Sequence, residues 1–176
     1  MARRYGVDLI LHALDQLQID LPALRLTMHG RGDYLETVQR MIQELGLEER
    51  VNLSTDFVAL PDLIRLIRSA HVGVVPYRRD VFTDGILPTK LMEYAALGIP
   101  AIVARTPAIM AYFDEAMVEF FTAENIDELA ERIRRLYHDR SRLEAMAHNV
   151  EQFNQRYNWA AQQAAYVGLV ERLAGR

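Results

Sequence analysis

Lys90 and Glu93 stand three residues apart in the stretch Thr83-Asp-Gly-Ile-Leu-Pro-Thr-Lys-Leu-Met-Glu-Tyr-Ala-Ala-Leu-Gly-Ile-Pro100, and Lys90 is the sole lysine among the 20 Lys and Arg residues of the chain. Asp84-Gly85 is a turn signal, and Pro88 suits the first position of a helix, where its missing N–H costs nothing. Lys90 then falls in the first helical turn, beside backbone N–H groups without internal acceptors and at the positive end of the helix dipole. Such a setting attracts an anion, phosphate above all. Glu93 shares that face one turn deeper, about 5 Å along the axis. A cation and a carboxylate so spaced can hold a phosphate and the diol of a neighbouring sugar. The same spacing also describes an i,i+3 ion pair on a solvated helix, which would carry no function.

The elements that must position this pair follow from the apolar pattern. Val7, Leu9, Ile10, Ala13, Leu14 and Leu17 recur at helical spacing and predict an amphipathic helix over Gly6–Leu17. Leu24–Met28 reads as a strand ending at Gly30-Arg31-Gly32, with Asp33 as the cap of a helix over Tyr34–Leu45. Arg50–Ser54 and His71–Pro76 read as strands around a helix at Asp62–Ser69, and Leu87–Leu97 is the helix that carries Lys90. Strands at Ile99–Ala104 and Met117–Thr122 flank a short helix near Ala108–Phe113, and helices at Ile126–His138, Ser141–Tyr157 and Trp159–Leu173 finish the chain. Short, nearly continuous apolar strands alternating with helices predict an α/β fold, a doubly wound parallel sheet covered on both faces. Ligands of such sheets bind beyond the carboxyl ends of the strands. The loops there are Gly30–Asp33, Thr55–Phe57, Tyr77–Leu87 and Arg105–Pro107.

With 176 residues, half of them apolar, the chain fits one compact domain over residues 1–176. A formal charge of −4 gives no electrostatic footprint for nucleic acid. The absence of cysteine excludes disulfide frameworks and thiolate metal sites, and a cytoplasmic setting is the expectation. No apolar run reaches the roughly 20 residues that span a bilayer, so any membrane contact would be peripheral.

With these motifs placed, the chain resembles the carboxyl-terminal, donor-binding half of a group 1 (family four) GT-B glycosyltransferase. Leu87-Pro-Thr-Lys-Leu-Met-Glu-Tyr-Ala-Ala-Leu-Gly-Ile-Pro100 is similar to the family's donor-site motif, and Arg4-Tyr-Gly-Val-Asp8, Gly30-Arg31-Gly32 and Tyr157-Asn158-Trp159 are weaker points of likeness. The resemblance implies a retaining transfer of a sugar from a nucleoside diphosphate sugar to an acceptor hydroxyl, with no cofactor and no metal. It makes Glu93 the carboxylate on the ribose hydroxyls and sets Lys90 and Thr89 on the diphosphate, assisted by N–H groups near Leu87, Pro88 and Lys90. Gly30, Arg31 and Gly32 would line the donor site. The activity would belong to a full-length parent, whose missing amino-terminal half binds the acceptor. The isolated domain is expected to bind the nucleotide weakly and to catalyse nothing. A bacterial polysaccharide or glycolipid pathway is what the motif subtype suggests by analogy.

The sequence departs from that family in three places. A second glutamate, eight residues before Glu93, is expected to touch the transferred sugar; that position is Gly85, and Asp84 is the nearest substitute. A lysine expected just before Gly6 is Tyr5, leaving Arg3 or Arg4 to supply the charge. The family's half also begins with a central strand for which Met1-Ala-Arg-Arg has no room. The expectation is a rearranged sheet, or a neighbouring chain filling the gap as a strand-swapped homo-oligomer. These departures keep open a second reading, a non-catalytic nucleotide- or phosphosugar-binding or assembly module. Arg78 and Arg79 follow a strand and could face phosphate, but read first as an exposed loop charge pair; His29 reads as a structural histidine or a cleft contact, and Tyr157 and Trp159 as packing, with Asn158 an N-cap.

Overall fold

The computed structural model describes residues 1–175. Helix α1 (Val7–Gln16) opens the fold after a short 3-10 turn at Arg3–Tyr5. Its buried apolar residues, Leu9, Ile10, Leu11, Ala13 and Leu14, cover more than one stripe, because the helix is wedged between two apolar clusters. Gly6, just before it, sits at φ 64°, and a Cβ there would come within 1.7 Å of the Pro76 carbonyl oxygen. Only glycine allows both the left-handed turn and that approach.

Strand β1 (Leu26–His29) is followed by α2 (Leu35–Glu44), β2 (Val51–Ser54), α3 (Leu60–Arg68) and β3 (Gly73–Val75). Then come a 3-10 turn at Thr83–Gly85, α4 (Thr89–Ala96), β4 (Ala101–Ala104), α5 (Pro107–Met110) and β5 (Glu119–Phe121). Three helices close the chain: α6 (Ile126–His138), α7 (Arg140–Arg156) and α8 (Trp159–Leu173). Asn125, Asp139 and Asn158 cap α6, α7 and α8, each accepting from the N–H three residues on. Asp33 does not cap α2: Tyr34 holds the N-cap position without a side-chain bond, and its N–H donates to the Met1 carbonyl at 3.2 Å.

All strand pairs are parallel, as the apolar runs predict, but the sheet is in two parts. β1 pairs β2 from Leu26 opposite Val51 to His29 opposite Ser54, and β3, β4 and β5 form a second sheet in that order. Each of β1 and β3 has one ladder partner, so each leaves an edge unpaired among the described residues. The described strands therefore form a split sheet rather than one closed five-stranded sheet.

The larger apolar cluster joins one face of α1 to β3–β5, α4, α6 and α7; the smaller joins Leu11 and Leu14 to Met28, Val38, Ile42, Leu47 and Val51. Leu24 and Leu26 pack on both. Beneath α6 and α7 the buried Glu119 of β5 is held by Arg135 Nη1 at 3.0 Å, Arg142 Nη2 at 3.3 Å and Arg132 Nη1 at 3.5 Å. α8 buries none of its residues, and Trp159, expected in packing, is 64% exposed beside Tyr166. Tyr157 does pack, against Phe153 and Tyr112. No helix among the described residues is long and apolar enough to cross a membrane.

Candidate functional site

The carboxyl ends of β1 and β2 are laced together. His29 Nδ1 and Ser54 Oγ lie 2.8 Å apart, the Gly30 N–H donates to Ser54 O at 3.0 Å, and Arg31 Nε donates to Thr55 O. His29 is thus hydrogen-bonded at the carboxyl end of β1. Gly30 and Gly32 hold φ 141° and 145°, and Met1 lies directly against Gly32. Residues 1–5 then cross to the end of β3, where the Arg4 carbonyl accepts from the Arg78 N–H at 3.0 Å. The Arg4 guanidinium lies over the Phe82 ring, 4.9 Å from its centroid. Arg4 therefore tops the loop that leads to α4.

That loop, residues 76–88, is ordered by its own polar groups. Asp80 Oδ1 accepts from the N–H groups of Phe82 at 2.9 Å and Thr83 at 2.7 Å. The Thr83 N–H bond, foremost, holds the Asp80 carboxyl below its ordinary range, with the hydroxyl of Thr83, the Phe82 N–H and the nearby Arg4 charge assisting. Thr83, fully buried, donates its hydroxyl to Arg78 O at 2.5 Å and accepts from the Asp80 N–H at 3.0 Å. Arg78 and Arg79, expected as a pair of exposed charges, part company. Arg79 does lie outside and forks onto Asp84, with Nη2 2.6 Å from Oδ2. Arg78 turns inward onto Asp8 of α1. The Tyr77 hydroxyl, its ring tilted against that of Tyr5 with centroids 5.1 Å apart, is pushed up to about 12 by burial, with Tyr5 and Tyr94 adding to the shift.

Helix α4 starts at Thr89, two residues after the expected Leu87 and one after the Pro88 expected at its first position. Pro88 keeps an extended ψ of 126° and takes the N-cap position, its carbonyl accepting from Leu91 at 3.0 Å. Thr89 and Lys90 are the first two helical residues, so their N–H groups precede the first internal bond, and both residues are exposed. Ile86 and Leu87 are half-buried beneath them. Lys90 and Glu93 do not pair with each other, and neither enters an ion pair among the described residues. The solvated ion-pair account of their spacing is therefore not what the structure contains. Gly85 faces open space, with nothing within 4 Å of an added Cβ.

Glu93 lines an open groove of about 550 Å³ with Met92 and Ala96 on one side and Glu151, Phe153, Asn154, Tyr157 and Asn158 on the other. The joint is fixed by Asn154, whose Nδ2 donates to Ala95 O at 2.7 Å. Sequence reasoning missed the wall that α7 supplies, because nothing local to Asn154 marks a contact made 59 residues away.

Comparison with known proteins bears on this geometry. A mannosyltransferase of Mycolicibacterium smegmatis, described as GDP-mannose-dependent alpha-(1-6)-phosphatidylinositol monomannoside mannosyltransferase, is 33% identical over 108 residues, which are 58% of this chain and 27% of that protein. Among solved structures, sucrose-phosphate synthase from Thermosynechococcus elongatus superposes with a TM-score of 0.84 at 21% identity over 99% of this chain and 43% of its own. HepE of Anabaena, crystallised with UDP, gives a TM-score of 0.80 at 20% identity over 94% of this chain and 45% of its own. The structural likenesses establish the fold, and the chain spans less than half the length of each of these proteins. The family described as glycosyl transferases group 1 matches residues 1–153 of the 176, and the chain belongs to it.

Proposed function

We propose that this chain is the donor-binding half of a retaining glycosyltransferase that moves a sugar from a nucleoside diphosphate sugar to an acceptor hydroxyl. Lys90, with the N–H groups of Thr89 and Lys90 at the start of α4, takes the diphosphate. As the bond from the sugar to the diphosphate breaks, the electron pair leaves with phosphate oxygen, and these donors meet the growing negative charge. Glu93, one turn deeper, accepts hydrogen bonds from the ribose hydroxyls. Gly30–Gly32 lines the site from the end of β1, Arg4 adds positive charge above the loop, and the acceptor is held by a further half of the enzyme. No metal is invoked, because a helix terminus and a lysine supply the charge.

The observation that carries this reading is the placement of Lys90, the sole lysine, in the first turn of α4 with no ion-pair partner among the described residues. Titration of the chain with UDP and with GDP by calorimetry tests it. Binding of one of them, lost in Lys90→Ala and Glu93→Ala proteins that remain folded, is the expected result. A well-folded wild-type chain that binds neither at millimolar concentration would sink the reading.

A second reading, a non-catalytic nucleotide-binding module, draws on Gly85 and on the commitment of Asp84 to Arg79, which together leave the transferred sugar without a free carboxylate on this loop. The two are separated by activity of a longer enzyme containing this chain: a binding module leaves it without transfer.

A further inference from the structure

The side chain of Arg78 is 14% exposed and forks onto Asp8 of α1, Nη1 to Oδ1 at 3.2 Å and Nη2 to Oδ2 at 2.9 Å. Its Nε lies 3.2 Å from Glu124 Oε1 but is not aligned for a hydrogen bond, so that nitrogen is buried without an acceptor. Glu124 is the one non-glycine residue with positive φ among those described, at 69°. Its turn after β5 is thus held in a conformation that a side chain with Cβ disfavours. Three segments distant in sequence meet at this one guanidinium: the first turn of α1, the loop after β3 and the turn after β5.

The main chain of Arg78 is fixed as firmly as its side chain. Its N–H donates to Arg4 O at 3.0 Å, and its carbonyl accepts the hydroxyl of the fully buried Thr83 at 2.5 Å. Thr83 and Asp80 then set the turn that delivers the chain to Pro88 and α4. A planar fork on a carboxylate fixes direction as well as distance, which an ammonium does not.

We propose that Arg78 is a positioning residue for the donor site: held by Asp8, it sets the course of residues 78–88 and so the placement of the Thr89 and Lys90 N–H groups, without touching the donor itself. This rests on the donor-site reading given above. It differs from a phosphate-binding role because both terminal nitrogens of Arg78 are already committed to Asp8.

The test uses Arg78→Gln, Arg78→Lys and the milder Asp8→Asn in the 176-residue chain, with two readouts. In the ligand-free proteins, amide hydrogen exchange at Thr83 and Asp84 accelerates about tenfold or more when the fork is lost, while that of Val103 in β4 holds. Affinity for UDP or GDP, whichever the wild type binds, falls by about tenfold or more, with affinity for the matching nucleoside unchanged. Arg78→Lys restores neither. Full recovery of nucleotide affinity in Arg78→Lys would make Arg78 a simple charge and overturn the proposal. Unaltered exchange and affinity in Arg78→Gln or Asp8→Asn would overturn it as well. Should Arg78→Gln fail to fold, Asp8→Asn carries both readouts. A wild-type chain that binds neither nucleotide would remove the donor-site reading and this proposal together, whereas a binding wild type with unresponsive variants removes this proposal alone.

Discussion

Arg79 and Asp84 are joined by a two-pronged ion pair on the outside of the loop, Nε within 3.0 Å of Oδ1 and Nη2 within 2.6 Å of Oδ2. Asp84 is the carboxylate nearest to the position where the family places a sugar-binding glutamate, and the pair turns it towards Arg79. Exposed pairs of this kind contribute little. Replacing either residue by alanine is therefore expected to leave UDP or GDP affinity within about twofold of wild type. A large loss in Asp84→Ala alone, measured by calorimetry, would show instead that Asp84 faces the donor.

Gly85 gives the complementary prediction. A Cβ added there meets nothing within 4 Å, so Gly85→Glu should fold as well as the parent. It should also raise affinity for a nucleoside diphosphate sugar relative to the bare diphosphate, by about three- to tenfold for one charge-assisted hydrogen bond. Equal affinities for the two ligands in this variant would remove any sugar contact from position 85.

Gly73 in β3 packs flat against Tyr94 of α4, and a Cβ there would come within 2.4 Å of the tyrosine ring. Gly73→Ala must displace that ring, and Tyr94 follows Glu93 on the helix that carries Lys90. The expected cost is about 1–3 kcal/mol by urea unfolding, as for other overpacked sites. Nucleotide affinity should fall with it, since the start of α4 moves too. Unchanged stability would mean that α4 slides away from the sheet without penalty.

Glu119 is the buried hub of three arginines on α6 and α7, which are partly exposed. Glu119→Gln leaves those charges crowded and uncompensated, and about 2–3 kcal/mol of stability should be lost, at the low end for buried pairs because water still reaches the arginines. Denaturant midpoints measured at low and high salt test this. A loss that vanishes in high salt would point to a surface effect instead.

Tyr77 yields a pH dependence. Its hydroxyl is raised from 10.0 to about 12 in the folded chain, chiefly by burial. The unfolded chain therefore releases this proton first as the medium becomes alkaline. The associated stability is whole below pH 10 and is lost progressively as the pH rises towards about 12, to a total of up to about 2–3 kcal/mol. Stability curves between those limits should be flatter for Tyr77→Phe than for wild type. Identical curves would show that Tyr77 does not titrate differently in the two states.

Where a local signal existed, the sequence was a good guide. α6 and α8 begin and end as expected, and Asn158, legible as a cap, does cap α8, as Asn125 caps α6. The strands are shorter than their apolar runs: His71–Pro76 yields only Gly73–Val75 in a ladder, since burial extends beyond pairing in a parallel sheet. Pro88 was placed one position too far into its helix because its ring favours the extended ψ seen there as readily as a helical start. Arg78 could not be read at all. It lies in a charged loop, and the Asp8 that buries it is 70 residues earlier, so only the folded chain unites them. The place of Lys90 and Glu93 in one helix was legible because that signal is local, whereas the groove beside Glu93 needed α7.

The split between β1 and β3 bears on how the molecule comes apart. The two apolar clusters communicate through α1 and through Leu24 and Leu26, with no continuous ladder of backbone bonds between them among the described residues. Melting need not then be all-or-none: the β1–α2–β2 layer can loosen while the β3–β5 layer, with its larger cluster, stays intact. Optical probes on the two layers would trace separate transitions, and the Gly30–Gly32 turn would loosen before α4 does.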